Sequence, residues 1–176
     1  PQIIVSRTAP KFLEKLLELE IPEIQDGTII LKKVVRIPGE KAKIAVDAYD
    51  DRIDPVGACV GVKGSRIHGV VRELKNENID VIQWSKNPEI MVKRALGNVT
   101  INKIEINEEG NYALVYTPVE EISKVIGKQG QNIRLASWLS GYEIDVYREK
   151  QADDDVELVE FNDEIEEWII NEFKKV

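Results

Sequence analysis

The sequence predicts an α+β protein built from one structural unit that occurs twice. Two observations carry this prediction. The order helix, strand, strand, helix, glycine loop, helix, strand can be traced over residues 8–86 and again over 87–150. The two glycine loops lie 66 residues apart and are flanked by the same residue types. A repeat of this length indicates two small domains in tandem, each with the order α-β-β-α-α-β.

The elements of the first unit each have a local sequence signal. Thr8 precedes apolar residues spaced by three and four, which is typical of a capped amphipathic helix. The Pro-Gly pair at 38–39 suits a tight turn between two β-branched runs. Asp54, which precedes a proline, and Ser65 are the expected caps of the later helices. The predicted elements are helices over 10–20, 55–60 and 65–74 and strands over 28–37, 41–49 and 79–84.

The second unit repeats these signals in the same order. Asn87 precedes a proline and is expected to cap a helix, and a Glu-Gly pair at 109–110 is expected to turn a second hairpin. Thr117 stands three residues before Glu120, which is the spacing of a capping box. The predicted elements are a helix over 88–95, strands over 99–106 and 111–116, a short helix after residue 118, a helix over 131–139 and a strand over 143–147.

The glycine loops are the most informative motif of the chain. Residues 61–64 and 127–130 each begin and end with glycine, and each loop precedes an isoleucine three residues on, at Ile67 and Ile133. One such glycine pair is weak evidence, because a turn between two helices that needs positive φ explains it equally well. The recurrence of both loops in register favours a functional interpretation.

Loops of this kind fit the backbone of a nucleic acid. Glycines let an extended phosphate chain approach closely, and the first-turn amides of the following helix attract anions. Lys63 and Lys128 lie inside the loops, and Arg66 and Arg134 lie in the helices that follow. The pattern therefore predicts a phosphate clamp with basic side chains in reach.

Other phosphate and metal motifs do not fit. A Walker loop needs Gly, Lys and then Ser or Thr after four intervening residues, whereas Val62 stands at that distance from Gly57. A dinucleotide fingerprint follows a strand, but these loops separate two helices. The single Cys59 and the single His68 exclude an internal disulfide and multi-cysteine or two-histidine metal sites. We expect no metal, no cofactor and no catalytic constellation.

Besides the glycine loops, six stretches of the chain are informative: residues 6–8, 19–24, 54–61, 64–67, 126–136 and 141–146. Together they resemble the NusA family of bacterial transcription factors, in which two type II KH domains follow one another. The resemblance implies a tandem KH region at residues 8–86 and 87–150. It also implies that residues 1–7 end a preceding oligonucleotide-binding barrel, with 3–5 as the end of a strand.

The resemblance implies single-stranded RNA, the nascent transcript, as the ligand. The expected contacts in the first loop are Gly61, Val62, Lys63, Gly64, Ser65 and Arg66. Those in the second are Gly127, Lys128, Gln129, Gly130, Gln131, Asn132 and Arg134. An apolar groove for the bases would be lined by Val60, Ile67, Val81, Ile126, Ile133 and Ile144. The periodicity of these six residues favours core positions instead.

The charge of the chain is unevenly placed. The net charge of −8 argues against nucleic acid, but residues 151–176 carry ten acids and two bases, so residues 1–150 are neutral. This tail is predicted to be an acidic linker followed by a helix capped by Asn162. The apolar stripe of that helix, at Ile165, Trp168, Ile169 and Phe173, could dock on the KH pair, open a further module or mimic RNA. We favour the further module.

The predicted function is RNA binding by a non-enzymatic, cytoplasmic factor in transcription elongation, pausing, termination and antitermination. The resemblance implies RNA polymerase and other transcription factors as partners, and no membrane. Two alternatives stay open: a protein-interaction scaffold with KH folds, and the RNA-targeting part of a larger enzyme. The lysines in both loops speak against a scaffold that has lost RNA binding.

Overall fold

The structure is a computed structural model that describes residues 2–149 and 157–159. The chain divides into two units, the first ending at Lys86 and the second beginning at Asn87. The predicted helix after Asn162 and the other residues of the predicted linker lie outside the described residues. Among the helices described, none is long and apolar enough to cross a membrane.

The first unit has the predicted α+β order with one additional short helix. Its elements are α1 (Pro10–Glu20), α2 (Pro22–Gln25), β1 (Ile29–Ile37), β2 (Lys41–Ala48), α3 (Pro55–Val60), α4 (Ser65–Glu73) and β3 (Asn78–Gln83). The sheet order is β1-β2-β3, with β1 and β2 antiparallel and β2 and β3 parallel. Parallel neighbours need a crossover connection, and here α3, the first glycine loop and α4 provide it.

The helices of the first unit cover one face of this sheet. Leu13 and Leu17 of α1 are fully buried against a cluster that includes Ile44 of β2 and Cys59 of α3. Cys59 is itself completely buried, and this burial raises the pKa of its thiol to about 11. The thiol therefore behaves as a small apolar side chain.

The second unit repeats the topology and adds a strand. Its elements are α5 (Pro88–Leu96), β4 (Lys103–Asn107), β5 (Tyr112–Pro118), α6 (Ile122–Ile126), α7 (Gln131–Ser140), β6 (Glu143–Glu149) and β7 (Glu157–Val159). The sheet order is β4-β5-β6-β7, and only β5 and β6 are parallel. Thus β7 lies within the stretch predicted to be an acidic linker, and it pairs with β6 there.

Three predicted helix caps are wrong. The side chain of Thr8 makes no cap of α1, since its hydroxyl lies 3.0 Å from that of Ser6. Ser65 is the first residue of α4, and Gly64 takes the cap position in a left-handed conformation. Thr117 is buried in β5 and donates its hydroxyl to the carbonyl oxygen of Thr100 at 2.7 Å, so the predicted capping box does not form.

The strand predicted over residues 99–106 begins later than expected, because residues 99–102 lie outside it. The amide of Thr100 donates to the Glu121 carboxylate at 3.3 Å, and β4 begins only at Lys103. At the other end of the chain, Ile3, Ile4 and Val5 are not in a strand and are 88–90% exposed. A preceding barrel stays a prediction.

Candidate nucleic-acid interface

The two glycine loops have the same backbone shape. Each is a single 3-10 turn between two helices, with its apex residue in the left-handed region. The angles (φ, ψ) are 73°, 171° at Gly61, 53°, 30° at Lys63 and 77°, 14° at Gly64, and 74°, 173° at Gly127, 52°, 31° at Gln129 and 70°, 11° at Gly130. The repeat seen in the sequence is therefore a repeat of geometry.

The first glycine of each loop is required by the fold of the loop itself. Gly61 and Gly127 occupy a region of φ and ψ that is open essentially to glycine alone. A Cβ atom at Gly61 would lie 2.9 Å from Cγ of Arg66, and one at Gly127 would lie 2.6 Å from Cβ of Asn132. These glycines therefore make room for the following helix, and the case for a ligand rests on what the loops expose.

The two middle residues of each loop are exposed. Val62 is 82% exposed although it is apolar, and Lys63 beside it is exposed as well. Lys128 and Gln129 hold the same two positions in the second loop. The amides of the closing glycines are bonded within the loops, since those of Gly64 and Gly130 donate at 3.1 Å to the opening glycines. Each loop is thus a closed turn that presents one lysine and one uncharged residue.

A helix begins directly after each loop. The first residues of α4 and α7 are Ser65, which is exposed, and Gln131, which is half-buried. The first-turn amides of a helix lack intrahelical acceptors and form its positive end. Arg134 is exposed one turn into α7. These features place favourable charge beside both loops.

Arg66 and Asn132 lie differently from the other expected contacts. Nη1 of Arg66 donates to the Ala58 carbonyl oxygen at 2.8 Å and to both Glu23 carboxylate oxygens at 3.0 and 2.9 Å. The pKa of Glu23 is lowered by its own backbone amide and by Arg66. Asn132 is 8% exposed, and its Nδ2 lies 3.0–3.3 Å from three backbone carbonyl oxygens. Both side chains face the protein.

Sequence reasoning missed Glu23, which lies in the short helix α2. The available signal was Pro22, because proline in the first position of a helix is favourable. The ion pair between Glu23 and Arg66 joins residues 43 positions apart, so no local pattern indicates it.

The candidate groove residues divide into two groups. Ile67, Ile126 and Ile144 are 2–7% exposed and belong to the core. The other three are partly buried and could still contact a ligand: Val60, Val81 and Ile133. No group of three or more potential metal-binding side chains occurs in the part of the chain that the structure describes.

The helix and strand order, the parallel pairing around the crossover and the paired glycine loops define the class of protein, which is a tandem of type II KH domains. The profile of the NusA-like first KH domain matches residues 7–84, and that of the NusA-like second KH domain matches residues 88–154. The chain therefore belongs to the NusA-like KH family.

Curated relatives carry the same family name. The transcription termination/antitermination protein NusA of Halalkalibacterium halodurans is 49% identical over 152 residues, which is 86% of this chain and 40% of that protein. The NusA of Bacillus subtilis is 47% identical, with 86% and 41% covered, and that of Thermus thermophilus is 43% identical, with 82% and 37% covered. The chain thus spans about two fifths of these relatives' length.

A solved structure supports the fold. The crystal structure of APE1850 superposes with a TM-score of 0.54 at 22% identity, covering 75% of this chain and 96% of that chain. At this identity the likeness concerns the fold alone.

Proposed function

We propose that the two glycine loops clamp the backbone of single-stranded RNA, as part of a factor that acts on transcription. The observation that carries this proposal is the matching loop geometry with one exposed lysine among the two middle residues of each loop, Lys63 and Lys128. KH domains hold about four nucleotides of backbone at such a loop while the bases lie across the adjoining groove.

Each part of the loop has a physical task in this proposal. The ammonium groups of Lys63 and Lys128 neutralise phosphates and release counterions. The positive ends of α4 and α7 attract the same backbone, and Arg134 adds a further charge beside the second loop. The partly buried aliphatic residues Val60 and Ile133 offer apolar surface to the bases. None of these contacts requires a reaction of the RNA, and we propose a non-enzymatic role.

The names of the curated relatives support the wider biological proposal. We infer that the protein acts with RNA polymerase and other transcription factors on the nascent transcript, in elongation, pausing, termination and antitermination, in the bacterial cytoplasm.

We also propose that one strand of RNA contacts both loops. Only residues 84–87 separate β3 from α5. So short a connection gives the second loop a high effective concentration once the first is bound.

The clamp is tested by fluorescence anisotropy titrations of single-stranded and double-stranded RNA across a salt series. Replacing Lys63 or Lys128 by Gln should lower the slope of log affinity against log salt by about one unit. Gln is suited to position 63, because Gln129 has the same dihedral angles at the equivalent position. Acidic pairs at 62–63 and at 128–129 should weaken binding further.

Lys75 provides a matched control. It is an exposed lysine with φ of 58°, close to the 53° of Lys63, but it lies beyond the opposite end of α4. Lys75→Gln should leave both affinity and slope nearly unchanged. The clamp is rejected if neither acidic pair weakens binding. Binding by one strand at both loops is rejected if a variant with one acidic pair binds as tightly as the unmodified chain.

A further inference from the structure

The inward-facing residues Arg66 and Asn132 occupy equivalent positions in the repeat. Each stands five residues after the opening glycine of its loop, and the two are 66 residues apart. Each donates a side-chain N–H to the carbonyl oxygen of the residue three positions before that glycine. The two distances are 2.8 Å from Arg66 to Ala58 and 3.3 Å from Asn132 to Lys124. Two chemically different side chains therefore make the same bond. We call Arg66 and Asn132 the anchor residues.

Each anchor residue also reaches the helix that directly precedes the first strand of its own unit. Arg66 binds the carboxylate of Glu23 in α2. Asn132 donates to the carbonyl oxygen of Leu96, the last residue of α5, at 3.0 Å. In both units one side chain thus ties together the loop, the helix before the loop and the helix before the first strand.

The helices that precede the loops need such a tie. α3 has six residues and α6 has five, so most of their carbonyl groups lack an intrahelical donor. Each helix ends at an opening glycine, the most permissive residue of the chain. A donor that holds the last turn in place therefore restricts the φ and ψ freedom on which the loop shape depends.

We propose that Arg66 and Asn132 are positioning residues that fix the shape of the RNA-binding loops from the protein side and do not contact the RNA. The proposal revises the sequence-based expectation that both side chains bind the ligand. The expected effect of these residues on RNA affinity rests on the proposed RNA-binding function, whereas their effect on the shape of the loops does not require RNA. Because Glu23 balances the charge of Arg66, Lys63 supplies the net positive charge within the first loop.

The first test uses the full chain without RNA. Amide hydrogen exchange of residues 61–64 and 127–130 is compared among the unmodified protein, Arg66→Gln, Asn132→Ala and the control Lys63→Gln. Losing an anchor should speed exchange in its own loop roughly tenfold, which corresponds to the loss of about one hydrogen bond. Lys63→Gln should leave exchange unchanged. Unchanged exchange in Arg66→Gln and Asn132→Ala overturns the proposal.

The second test separates positioning from direct contact by the direction in which Glu23→Gln changes the affinity for RNA. If Arg66 contacts phosphate, Glu23→Gln removes a competing negative charge and tightens binding, and Arg66→Gln lowers the salt slope by about one unit. If Arg66 positions the loop, Glu23→Gln weakens binding, and Arg66→Gln weakens binding without changing the slope. Tighter or unchanged binding by Glu23→Gln overturns the proposal.

The two tests remain decisive if one variant does not fold. Asn132 is buried, so circular dichroism melting is measured for every variant. If Asn132→Ala unfolds the second unit, the partly exposed pair Arg66 and Glu23 decides the outcome in the first loop. A chain that shows the expected exchange changes but no RNA binding would contradict the proposed function and leave the positioning role standing.

Discussion

Arg36 and Glu77 form a two-point ion pair inside the first unit. Nε of Arg36 lies 2.9 Å from Oε1 of Glu77, Nη2 lies 2.6 Å from Oε2, and the side chains are 3% and 0% exposed. Nη1 donates to the carbonyl oxygen of Arg7 at 2.8 Å, and Oε2 accepts from the Gly39 amide at 2.9 Å. The pair therefore joins the segment before α1, the β1–β2 turn and the start of β3.

Removing one member of this pair should destabilise the first unit strongly. Glu77→Gln leaves the buried guanidinium of Arg36 without a counter-charge, which should cost about 3–5 kcal/mol in urea unfolding. The double change Arg36→Met with Glu77→Leu should cost less, because no charge remains buried. A loss below about 1 kcal/mol for Glu77→Gln would contradict this assignment.

Replacing a loop glycine by alanine should lower the free energy of unfolding more than the same replacement at a glycine outside the loops. Gly97 has φ of 91° and ψ of −150°, in the same sparsely populated region as Gly127, but a Cβ there meets nothing within 4 Å. Gly97→Ala should cost the backbone strain alone, about 1–3 kcal/mol. Gly127→Ala adds the contact with Asn132 and should cost more. Equal losses in thermal or urea unfolding would show that the loop relaxes freely.

The ion pair of Lys43 and Asp80 should make stability depend on pH. Nζ of Lys43, which is 1% exposed, lies 2.7 Å from Oδ2 of Asp80, and Nζ of Lys41 lies 2.9 Å away. Burial alone would raise the pKa of Asp80, but the two lysines outweigh it and leave that pKa below its ordinary value. This contribution to stability is present above about pH 4 and is lost as the pH falls through the lowered pKa.

Asp80→Asn should therefore flatten the acid limb of a plot of unfolding free energy against pH. At neutral pH it should also destabilise more than Lys43→Met does, because it removes the counter-charge of a buried ammonium. Lys43→Met leaves Asp80 paired with Lys41. An acid limb of the same steepness in Asp80→Asn would argue against the pair as its source.

Cys59 should report on the opening of α3. It is the single cysteine of the chain, it is fully buried, and its pKa is about 11. A thiol reagent at pH 8 should therefore react slowly with the native protein and rapidly in concentrated urea. Gly57→Pro, a change inside α3, should speed the native reaction, and rapid labelling of the unmodified chain would show that α3 is not packed as described.

Local signals in the sequence predict the element order of both repeats, apart from α2 and β7. The turn at 38–39 and the caps Asp54 and Asn87 depend on neighbours in the chain, and the structure contains each of them. Asp54 accepts from the amides of Val56 and Gly57, and Asn87 accepts from the amide of Ile90. The α+β class and the tandem repeat follow from these signals.

The errors arose where a distant partner decides what a residue does. Thr117 has the sequence of a cap, but it faces inward from β5 and finds the Thr100 carbonyl instead. β7 was missed because an acidic run is typical of a solvated linker, whereas backbone pairing with β6 does not depend on side-chain charge. Arg66 and Asn132 stay predicted RNA contacts, and the acceptors that they bind, such as Glu23 and Leu96, are too distant in the chain for a local pattern to indicate them.

The matched dihedral angles of the two loops make their two middle residues interchangeable. Residues 62–63 and 128–129 sit on backbones of the same shape, so either dipeptide can stand in either repeat without altering its frame. The protein thus has two loops whose backbones are alike while their exposed side chains differ. Exchanging the two dipeptides would keep the backbone of each loop and would shift its lysine by one position, to residue 62 in the first loop and to residue 129 in the second.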